Sequence, residues 1–222
     1  GLLRNDNMHK KIKTNFDNYL YVQQLSDKEI ADLSKEQKID IAIHRNGHSQ
    51  NSRTNIFSYI AAPLQVSYLG YPGSTGLDFI DYIIADQIVI PLENIKFFSE
   101  KIIFLPNSYY PTDNTRRISK KKFQRSDFNI PKNAFVFCSF NNSYKISPEE
   151  YDIWMQLLKE KENSYLLLLT HDKLTQKNLL LEANKRAADI NKIIFFDYIN
   201  IEDHLARHSL VDLYLDTFNY NG

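Results

Sequence analysis

Five polar loops carry the side chains of this sequence that could bind or activate a ligand. Two lie in the first half of the chain, at residues 44–50 (HRNGHSQ) and at the glycine-rich residues 70–76 (GYPGSTG). Three lie in the second half, at residues 141–145 (NNSYK), 197–200 (DYIN) and 216–222 (DTFNYNG). Glycine lets backbone amides approach a ligand closely, lysine neutralises phosphate, and histidine can stack, donate or accept. These residue types favour an anionic ligand.

The glycine-rich loop and the loop lysine match no phosphate-binding fingerprint. Neither G-x-x-x-x-G-K-[ST] nor G-x-G-x-x-G occurs in the chain. Residues 70–76 could equally be a tight connection, and Lys145, which precedes a predicted helix, could be a solvated surface lysine. The residues alone therefore predict no more than a two-lobed α/β binder of an anionic ligand.

A pair of histidines and a lone cysteine raise the question of a metal. His204 and His208 are four residues apart in a predicted helix and so share one face. Metal binding is one interpretation, but no H-E-x-x-H motif accompanies them, and a surface or helix-end pair is favoured. Cys138 lies in an apolar strand, where packing is favoured over nucleophilic chemistry. No metal site and no cofactor are expected.

The loops of the second half belong to a regular alternation of strands and helices. Continuous apolar runs predict strands at residues 134–140, 165–169, 193–196 and 210–215. Ser147, Pro148 and Glu150 predict a helix start, as cap, first-turn proline and capping-box acid. Further helices are predicted at residues 174–188 and 201–208. This order is typical of a parallel sheet that is covered on both faces.

The first half shows the same alternation less clearly. Its predicted segments are a strand at residues 39–43, a helix at 52–61, a strand at 64–69, and apolar segments at 79–85 and 102–105. Open parallel sheets bind ligands at the carboxyl ends of their strands. The five polar loops are expected at such ends.

A run of basic residues separates the two halves. Residues 116–125 (RRISKKKFQR) hold six basic side chains and no acid. A solvated linker is the favoured interpretation, and contact with an anionic partner is the alternative. We predict a first lobe at residues 1–115, a basic linker at 116–130 and a second lobe at 131–222, which enclose a ligand between them.

Composition excludes several classes of protein. The 222 residues include 27 basic and 27 acidic side chains, so the chain lacks the whole-chain basic footprint of a nucleic-acid binder. The longest apolar runs, such as residues 165–169, are far shorter than the ~20 residues that span a bilayer. The opening residues, GLLRND, show no secretory signal. A cytoplasmic protein without nucleic-acid or membrane partners is expected.

Six motifs in and around the polar loops follow one another in a specific order. They are LGYPGSTG at residues 69–76, DYIIAD at 81–86, SEKI at 99–102, FNNSYKI at 140–146, EDHLARH at 202–208 and LDT at 215–217. This series resembles the catalytic region of the O-GlcNAc transferase/SPINDLY family. The resemblance covers residues 8–222, and it is closer to the bacterial members, which carry tetratricopeptide repeats upstream.

The resemblance implies an α/β fold of two Rossmann-like lobes, the GT-B glycosyltransferase type, with both lobes incomplete. It implies an enzyme that transfers N-acetylglucosamine from UDP-GlcNAc to Ser or Thr hydroxyls of proteins. Two alternatives stay open: a protein O-fucosyltransferase that uses GDP-fucose, and a non-catalytic module that binds a nucleotide sugar or a partner. A metal-dependent transferase is disfavoured because the chain has no Asp-x-Asp motif.

The resemblance also implies roles for individual residues. Lys145 would be the catalytic group, because it would hold the diphosphate on which negative charge develops. His204 would stack on the nucleobase. The implied donor-binding residues are Asn142, Tyr144, Lys145, His204, Arg207, Asp216 and Thr217. The implied residues of the sugar and acceptor side are Asn46, Gly47, His48, Ser49, Leu69, Gly70, Pro72 and Gly73. No residue is assigned as the catalytic base.

The sequence departs from the family pattern at its two ends. A His-Pro motif expected upstream and a His-Thr-Thr segment expected directly after Gly222 are absent. We therefore expect a chain that is truncated at both ends and has little or no transferase activity by itself. Asn142 stands where the animal enzyme has glutamine, which leaves the identity of the donor open.

Overall fold

The computed structural model describes residues 7–221, and the chain divides into two compact units, Gly1–Thr112 and Asp113–Gly222. The division falls shortly before residue 115, the predicted end of the first lobe. The outermost parts of the predicted lobes, residues 1–6 and Gly222, lie outside the described residues. No helix of the described part is long and apolar enough to cross a membrane.

The first unit is built on a four-stranded parallel sheet. Its strands, which lie side by side in chain order, are β1 (Ile41–His44), β2 (Leu64–Tyr68), β3 (Tyr82–Ala85) and β4 (Lys101–Phe104). Its helices are α1 (Asn7–Thr14), α2 (Asp27–Glu36) and α3 (Asn55–Ser58), with a 3-10 helix at Leu92–Phe97. All four strands run in one direction, so the loops that follow β1 and β2 leave the sheet side by side.

Two features of the first unit differ from the sequence pattern. Helix α3 has four residues instead of the predicted 52–61, and the chain leaves it through Ile60, whose φ of +54° cannot continue a helix. One face of the sheet is buried around Ile83, but on the other face Ile41 and Ile43 are 53% and 50% exposed. Within residues 7–221 this second face of β1 is not covered.

The second unit is a parallel sheet whose strand order reverses. Its strands are β5 (Phe135–Ser139), β6 (Ser164–Leu169), β7 (Ile193–Phe196) and β8 (Leu213–Tyr214). Its helices are α4 (Pro148–Glu160), α5 (Lys173–Lys185) and α6 (Ile201–Arg207). The order across the sheet is β7-β6-β5-β8, and all pairs are parallel, as the β-α-β alternation predicted. The strand order reverses between β5 and β8, and open α/β sheets bind ligands at the carboxyl ends of the strands beside such a reversal.

Both faces of the second sheet are packed, as predicted. On one face, Trp154 and Met155 of α4 pack against Leu166 of β6. On the other face, Cys138 lies in a cluster with Leu167 and other apolar residues. Burial raises the pKa of the Cys138 thiol to about 12, so this cysteine stays protonated and serves as core.

The predicted basic linker at residues 116–130 requires a correction, because part of it is core of the second unit. Three of its apolar residues pack against the cluster around Cys138, namely Phe123, Phe128 and Ile130. The guanidinium of Arg125 donates to the carbonyl oxygen of Ala134 at 2.7 Å and ion-pairs with Asp212 at 2.7 Å. The six basic residues predicted a solvent-exposed linker, but one of them, Arg125, donates hydrogen bonds to backbone carbonyl oxygens of the second unit.

Arg125→Ala should therefore destabilise the second unit, whereas Arg117→Ala, at an exposed arginine of the same run, should not. Loss of the Arg125 hydrogen bonds is expected to cost about 2 kcal/mol of unfolding free energy, against less than about 0.5 kcal/mol for Arg117. Trp154 is the single tryptophan and lies in the second unit, so urea unfolding followed by its fluorescence measures this unit. Equal effects of the two substitutions would restore the linker interpretation.

Candidate functional site

Asn141 joins the carboxyl ends of β5 and β8 in the second unit. Its side-chain amide donates to the carboxylate of Asp216 at 2.7 Å and to the hydroxyl of Thr217 at 3.0 Å. The hydroxyl of Tyr214 donates to its carbonyl oxygen at 3.3 Å. Asn141 is 7% exposed. Hydrogen-bonded polar groups therefore join the two strand ends at the reversal.

Glu150 holds the loop that follows β8. Its carboxylate is 1% exposed and accepts a hydrogen bond from the amide of Ser147, which completes the capping box of α4. It also accepts from the amide of Phe218, 68 residues along the chain. Burial acts to raise the pKa of Glu150, but the backbone donors at Ser147 and Phe218 outweigh it and lower the pKa. One ionised carboxylate thus fixes both the helix start and the loop.

Lys145 lies over the same loop. Its ammonium donates to the carbonyl oxygen of Asn221 at 2.7 Å and lies 4.6 Å from the ring centroid of Tyr220. The side chain is half-buried, and no carboxylate pairs with it in the described part of the chain. An ammonium held by a carbonyl and an aromatic face keeps its positive charge uncompensated. It is therefore available to an anion.

Two further predicted donor residues form an exposed rim. Asn142 accepts a hydrogen bond from the hydroxyl of Tyr198 at 3.2 Å, which links the loops after β5 and β7. Tyr144 is 81% exposed. Both side chains are accessible to a ligand above the sheet edge.

His204 and Arg207 form a second group on α6. The His204 ring lies 5.3 Å from the ring of Phe140, the residue that precedes Asn141. Arg207 is 3% exposed and donates from Nε to His204 Nδ1 at 2.9 Å. The resemblance implies that His204 and Arg207 both lie on the nucleotide side. The structure places His204 at the surface of this group and Arg207 behind it.

Arg207 and Thr217, which the resemblance implies as donor-binding residues, are both buried in the structure. Thr217 is 0% exposed and donates from its hydroxyl to the carbonyl of Tyr220 at 2.6 Å. Arg207 lies beneath His204. Both side chains form hydrogen bonds with neighbouring residues of the second unit. Asp216 remains partly exposed.

The metal alternative for His204 and His208 finds no support in their bonding. Nδ1 of His204 faces the Arg207 guanidinium, and Nδ1 of His208 lies 2.7 Å from the backbone carbonyl of His204. Within residues 7–221 no group of three or more His, Cys, Asp or Glu side chains has the arrangement of a metal site. Nδ1 of each ring is thus engaged in a hydrogen bond within this part of the second unit.

In the first unit, the structure brings the two predicted loops into contact. A Cβ added to Gly70 would lie 1.8 Å from the carbonyl oxygen of Arg45, so only glycine allows this approach. A Cβ on Gly47, whose φ is +52°, would lie 2.6 Å from Cβ of Tyr71. His48 donates from Nε2 to the carbonyl of Thr75 at 2.7 Å. Asn46 and Ser49 close the first loop through a turn, and Pro72 and Gly73 lie in the second loop.

Leu69 enters the glycine-rich loop through a strained turn. Its φ is +82°, and the amide of Gly70 donates to the carbonyl of Tyr68 at 3.1 Å. An i to i+2 hydrogen bond around a residue with positive φ is a rare γ-turn. Such backbone strain costs about 1–3 kcal/mol and clusters at functional sites. The turn at Leu69 fixes the direction in which the chain leaves β2.

Glu100, a residue to which the sequence assigned no role, anchors the far end of the glycine-rich loop. Its carboxylate is 4% exposed and accepts from the amide of Thr75 at 2.6 Å, from the Thr75 hydroxyl, and from the Ser74 hydroxyl at 2.8 Å. Burial acts to raise the pKa of Glu100, but the donors of Thr75 and Ser74 outweigh it and lower the pKa. An ionised carboxylate therefore holds this loop.

The sequence reasoning missed three residues that position the site: Asn141, Glu150 and Glu100. Asn141 adjoins Asn142 in the polar loop after β5, and Glu150 was identified only as a helix cap. Glu100 lies in the SEKI motif. Each acts on a partner 25 to 76 residues away in the chain, and no local pattern reports such a contact.

Comparison with known proteins gives consistent matches along the chain. The profile of glycosyl transferase family 41 matches residues 3–124 and 118–222. A protein of Arabidopsis thaliana described as a probable UDP-N-acetylglucosamine–peptide N-acetylglucosaminyltransferase, SEC, is 35% identical over 229 residues, which cover 100% of this chain and 23% of that protein. SPINDLY of Eustoma exaltatum subsp. russellianum, with the same description, is 31% identical over 211 residues, which cover 89% of this chain and 22% of that protein. The chain thus spans less than a quarter of these relatives.

Two solved structures are similar in fold. A mutant O-GlcNAc transferase of Thermobaculum terrenum matches with a TM-score of 0.85 at 24% identity, over 99% of this chain and 41% of that chain. A glycosyltransferase of Rickettsia africae matches with a TM-score of 0.55 at 14% identity, over 94% of this chain and 62% of that chain. The likeness confirms the predicted α/β fold of the GT-B type.

Glu100→Gln should loosen the glycine-rich loop, since a neutral amide accepts hydrogen bonds from Thr75 less strongly. We expect the amide of Thr75 to exchange at least about tenfold faster in NMR hydrogen exchange. Glu93→Gln, at an exposed glutamate of the same unit, is the control. Because the pKa of Glu100 is lowered, its stabilisation is present above the ordinary glutamate value of about 4.3 and is lost as the pH falls below it. Unchanged Thr75 exchange would contradict the anchor.

Glu150→Ala should release the loop after β8 and weaken α4 at once. We expect a loss of about 2–3 kcal/mol of unfolding free energy, since the backbone amides of Ser147 and Phe218 both lose their buried acceptor. Hydrogen exchange of peptides that cover residues 216–221 should accelerate as well. Glu149→Ala, at the exposed neighbouring position, should change neither quantity. Equal exchange in the two variants would show that Glu150 does not hold the loop.

Proposed function

The chain belongs to glycosyl transferase family 41, and from that membership we propose that it is part of the catalytic region of a protein O-GlcNAc transferase. The proposed reaction transfers N-acetylglucosamine from UDP-GlcNAc to Ser or Thr hydroxyls of proteins. The observation that carries the proposal is the convergence of Asn141, Lys145 and the loop after β8 at the strand reversal of the second sheet. Because the chain spans 23% of the SEC relative, the activity is proposed for the full-length protein.

The second unit is the proposed donor site. Lys145 would exchange the carbonyl of Asn221 for an oxygen of the diphosphate, since a charge-assisted bond to phosphate is stronger than one to a neutral carbonyl. Asn142 and Tyr144 would flank the sugar diphosphate from the exposed rim. His204 would stack on the nucleobase, while Asp216 would line the donor site beside Asn141.

The proposed chemistry is a single displacement at the anomeric carbon. The acceptor hydroxyl oxygen forms a bond to this carbon as the bond from the carbon to the diphosphate oxygen breaks, and UDP leaves with both electrons of that bond. The hydroxyl proton passes to a base that we do not assign. Negative charge grows on the diphosphate, so a fixed ammonium at Lys145 stabilises the transition state more than the ground state. No metal is needed for this role, and we propose a metal-independent reaction.

The first unit is the proposed sugar and acceptor side. The two loops that meet at Gly70 and Arg45 carry the predicted residues of that side, which are Asn46, Gly47, His48, Ser49, Leu69, Gly70, Pro72 and Gly73. Their contact, the strained turn at Leu69 and the Glu100 anchor support a rigid wall that positions a substrate. From the family membership we further propose a cytoplasmic location, protein acceptors and tetratricopeptide repeats upstream of this region in the full-length protein.

Titration with UDP and GDP tests the donor assignment. UDP is expected to raise the thermal midpoint of the second unit, followed by Trp154 fluorescence, because it binds the folded state. Lys145→Ala should weaken UDP binding by at least about tenfold, whereas Lys177→Ala, at an exposed lysine of α5, should leave it unchanged.

The other outcomes of this titration separate the alternatives. Preference for GDP would support the fucosyl-transfer alternative. UDP binding that survives Lys145→Ala, together with normal turnover of a full-length Lys145→Ala protein, would support a non-catalytic module. Binding of neither nucleotide to a folded chain would contradict a donor site in the second unit. Transfer that EDTA abolishes would contradict the metal-independent mechanism.

A further inference from the structure

Arg207 is a buried cation that is bonded to a histidine. The side chain is 3% exposed, and its guanidinium lies 5.1 Å and 5.2 Å from the ring centroids of Phe140 and Phe196. One nitrogen, Nη1, donates to the carbonyl of Asp197 at 2.8 Å. In the described part of the chain no carboxylate forms an ion pair with it. Burial of a charged side chain costs desolvation free energy, so buried charges are normally hydrogen-bonded to a specific partner.

That partner is Nδ1 of His204. Nε of Arg207 lies 2.9 Å from this atom and Nη2 lies 2.6 Å from it. A guanidinium has donors only, so Nδ1 accepts, and the proton of the neutral ring is on Nε2. The hydrogen bonds from Arg207 to Nδ1 thus determine which ring nitrogen of His204 carries the proton.

The surroundings of His204 also oppose an imidazolium. The charged or titratable groups that face it are Arg207, the His208 ring at 4.8 Å and the adjacent Asp203, whose carboxylate lies 4.0 Å from Lys121. Phe140, which packs on the ring from β5, has no charge. Burial, then Arg207 and His208, lower the pKa of His204 to about 4. The ring is neutral throughout the physiological range.

We propose that Arg207 is a positioning residue, which holds His204 as a neutral imidazole with its N–H on the outward Nε2. This inference rests on the proposed donor site and identifies what that subsite can bind. A neutral ring with one outward donor suits the face and the carbonyl edge of a nucleobase, whereas an imidazolium would attract phosphate. The arrangement thereby directs the diphosphate toward Lys145.

The first test measures the His204 ring without any nucleotide. Long-range ¹H–¹⁵N spectra report the tautomer and the protonation of each of the six histidines, and His204→Gln identifies the His204 signals. We expect the Nε2–H tautomer and no titration of His204 between pH 5 and pH 8. An Nδ1–H tautomer, or titration near the ordinary histidine pKa of about 6.5, would overturn the inference.

The second test uses variants of Arg207. With Arg207→Leu, the His204 ring should no longer be held in one tautomer and its pKa should rise, although the burial that chiefly lowers this pKa remains. With Arg207→Lys, which keeps a donor, the spectrum should stay closer to wild type. The terminal phosphate of UDP titrates in the same range, with a pKa of about 6, in every variant. The readout is therefore the ratio of the UDP affinities of Arg207→Leu and wild type, which should change at least about twofold between pH 5.5 and pH 7.5. Arg117→Leu is the control. A pH profile that is the same in Arg207→Leu and wild type would contradict the positioning role.

These readouts separate the inference from the proposed function. If UDP does not bind, the donor site is refuted, while the wild-type spectrum still decides whether Arg207 fixes the His204 tautomer. Loss of the Trp154 fluorescence of the folded unit in Arg207→Leu would show that this variant does not fold. In that case the spectra of Arg207→Lys and of the wild type decide whether Arg207 fixes the His204 tautomer. A wild-type ring that titrates refutes the inference even if UDP binds as expected.

Discussion

The hydrogen bonds of Asn141 to Asp216 and Thr217 are the contact on which the donor-side arrangement depends. Parallel strands whose order reverses must diverge in their connections, so the loops after β5 and β8 have no ladder bonds to hold them together. Asn141 replaces those bonds with side-chain bonds at 2.7 Å and 3.0 Å. The loop that carries Lys145 is thereby fixed relative to residues 217–221, and Lys145 itself bonds to the end of that segment.

The two units solve the same physical problem in the same way. A loop at the end of a parallel strand exposes backbone amides that need acceptors. In the first unit Glu100 supplies the acceptor to Thr75, and in the second unit Glu150 supplies it to Phe218. Both carboxylates are buried and have a lowered pKa, so each is a charged group whose hydrogen bonds outweigh its burial. The loops are fixed from beneath, and their upper surfaces stay open to a ligand.

The strands and the start of α4 could be predicted from the sequence because their signals are local. Apolar runs and the Ser147–Glu150 capping box report burial and helix entry within a few residues. The short α3, the packed half of the basic segment and the open face of β1 could not be predicted, since tertiary contacts decide them. In the site, resemblance supplied Lys145 and His204. Asn141, Glu150 and Glu100 are defined by partners that are distant in sequence.

The distribution of charge in the second unit follows from these contacts. Arg207 is fully engaged by His204 and the carbonyl of Asp197, so its charge is screened from the candidate site by two aromatic rings and an imidazole. Lys145 is the cation that the loop leaves without a carboxylate. A ligand with one anionic and one aromatic end therefore meets a positive group at one end of the β5 loop and a neutral ring at the other. This polarity gives the candidate site a direction, and under the proposed function it would orient the donor with its diphosphate at Lys145 and its nucleobase at His204.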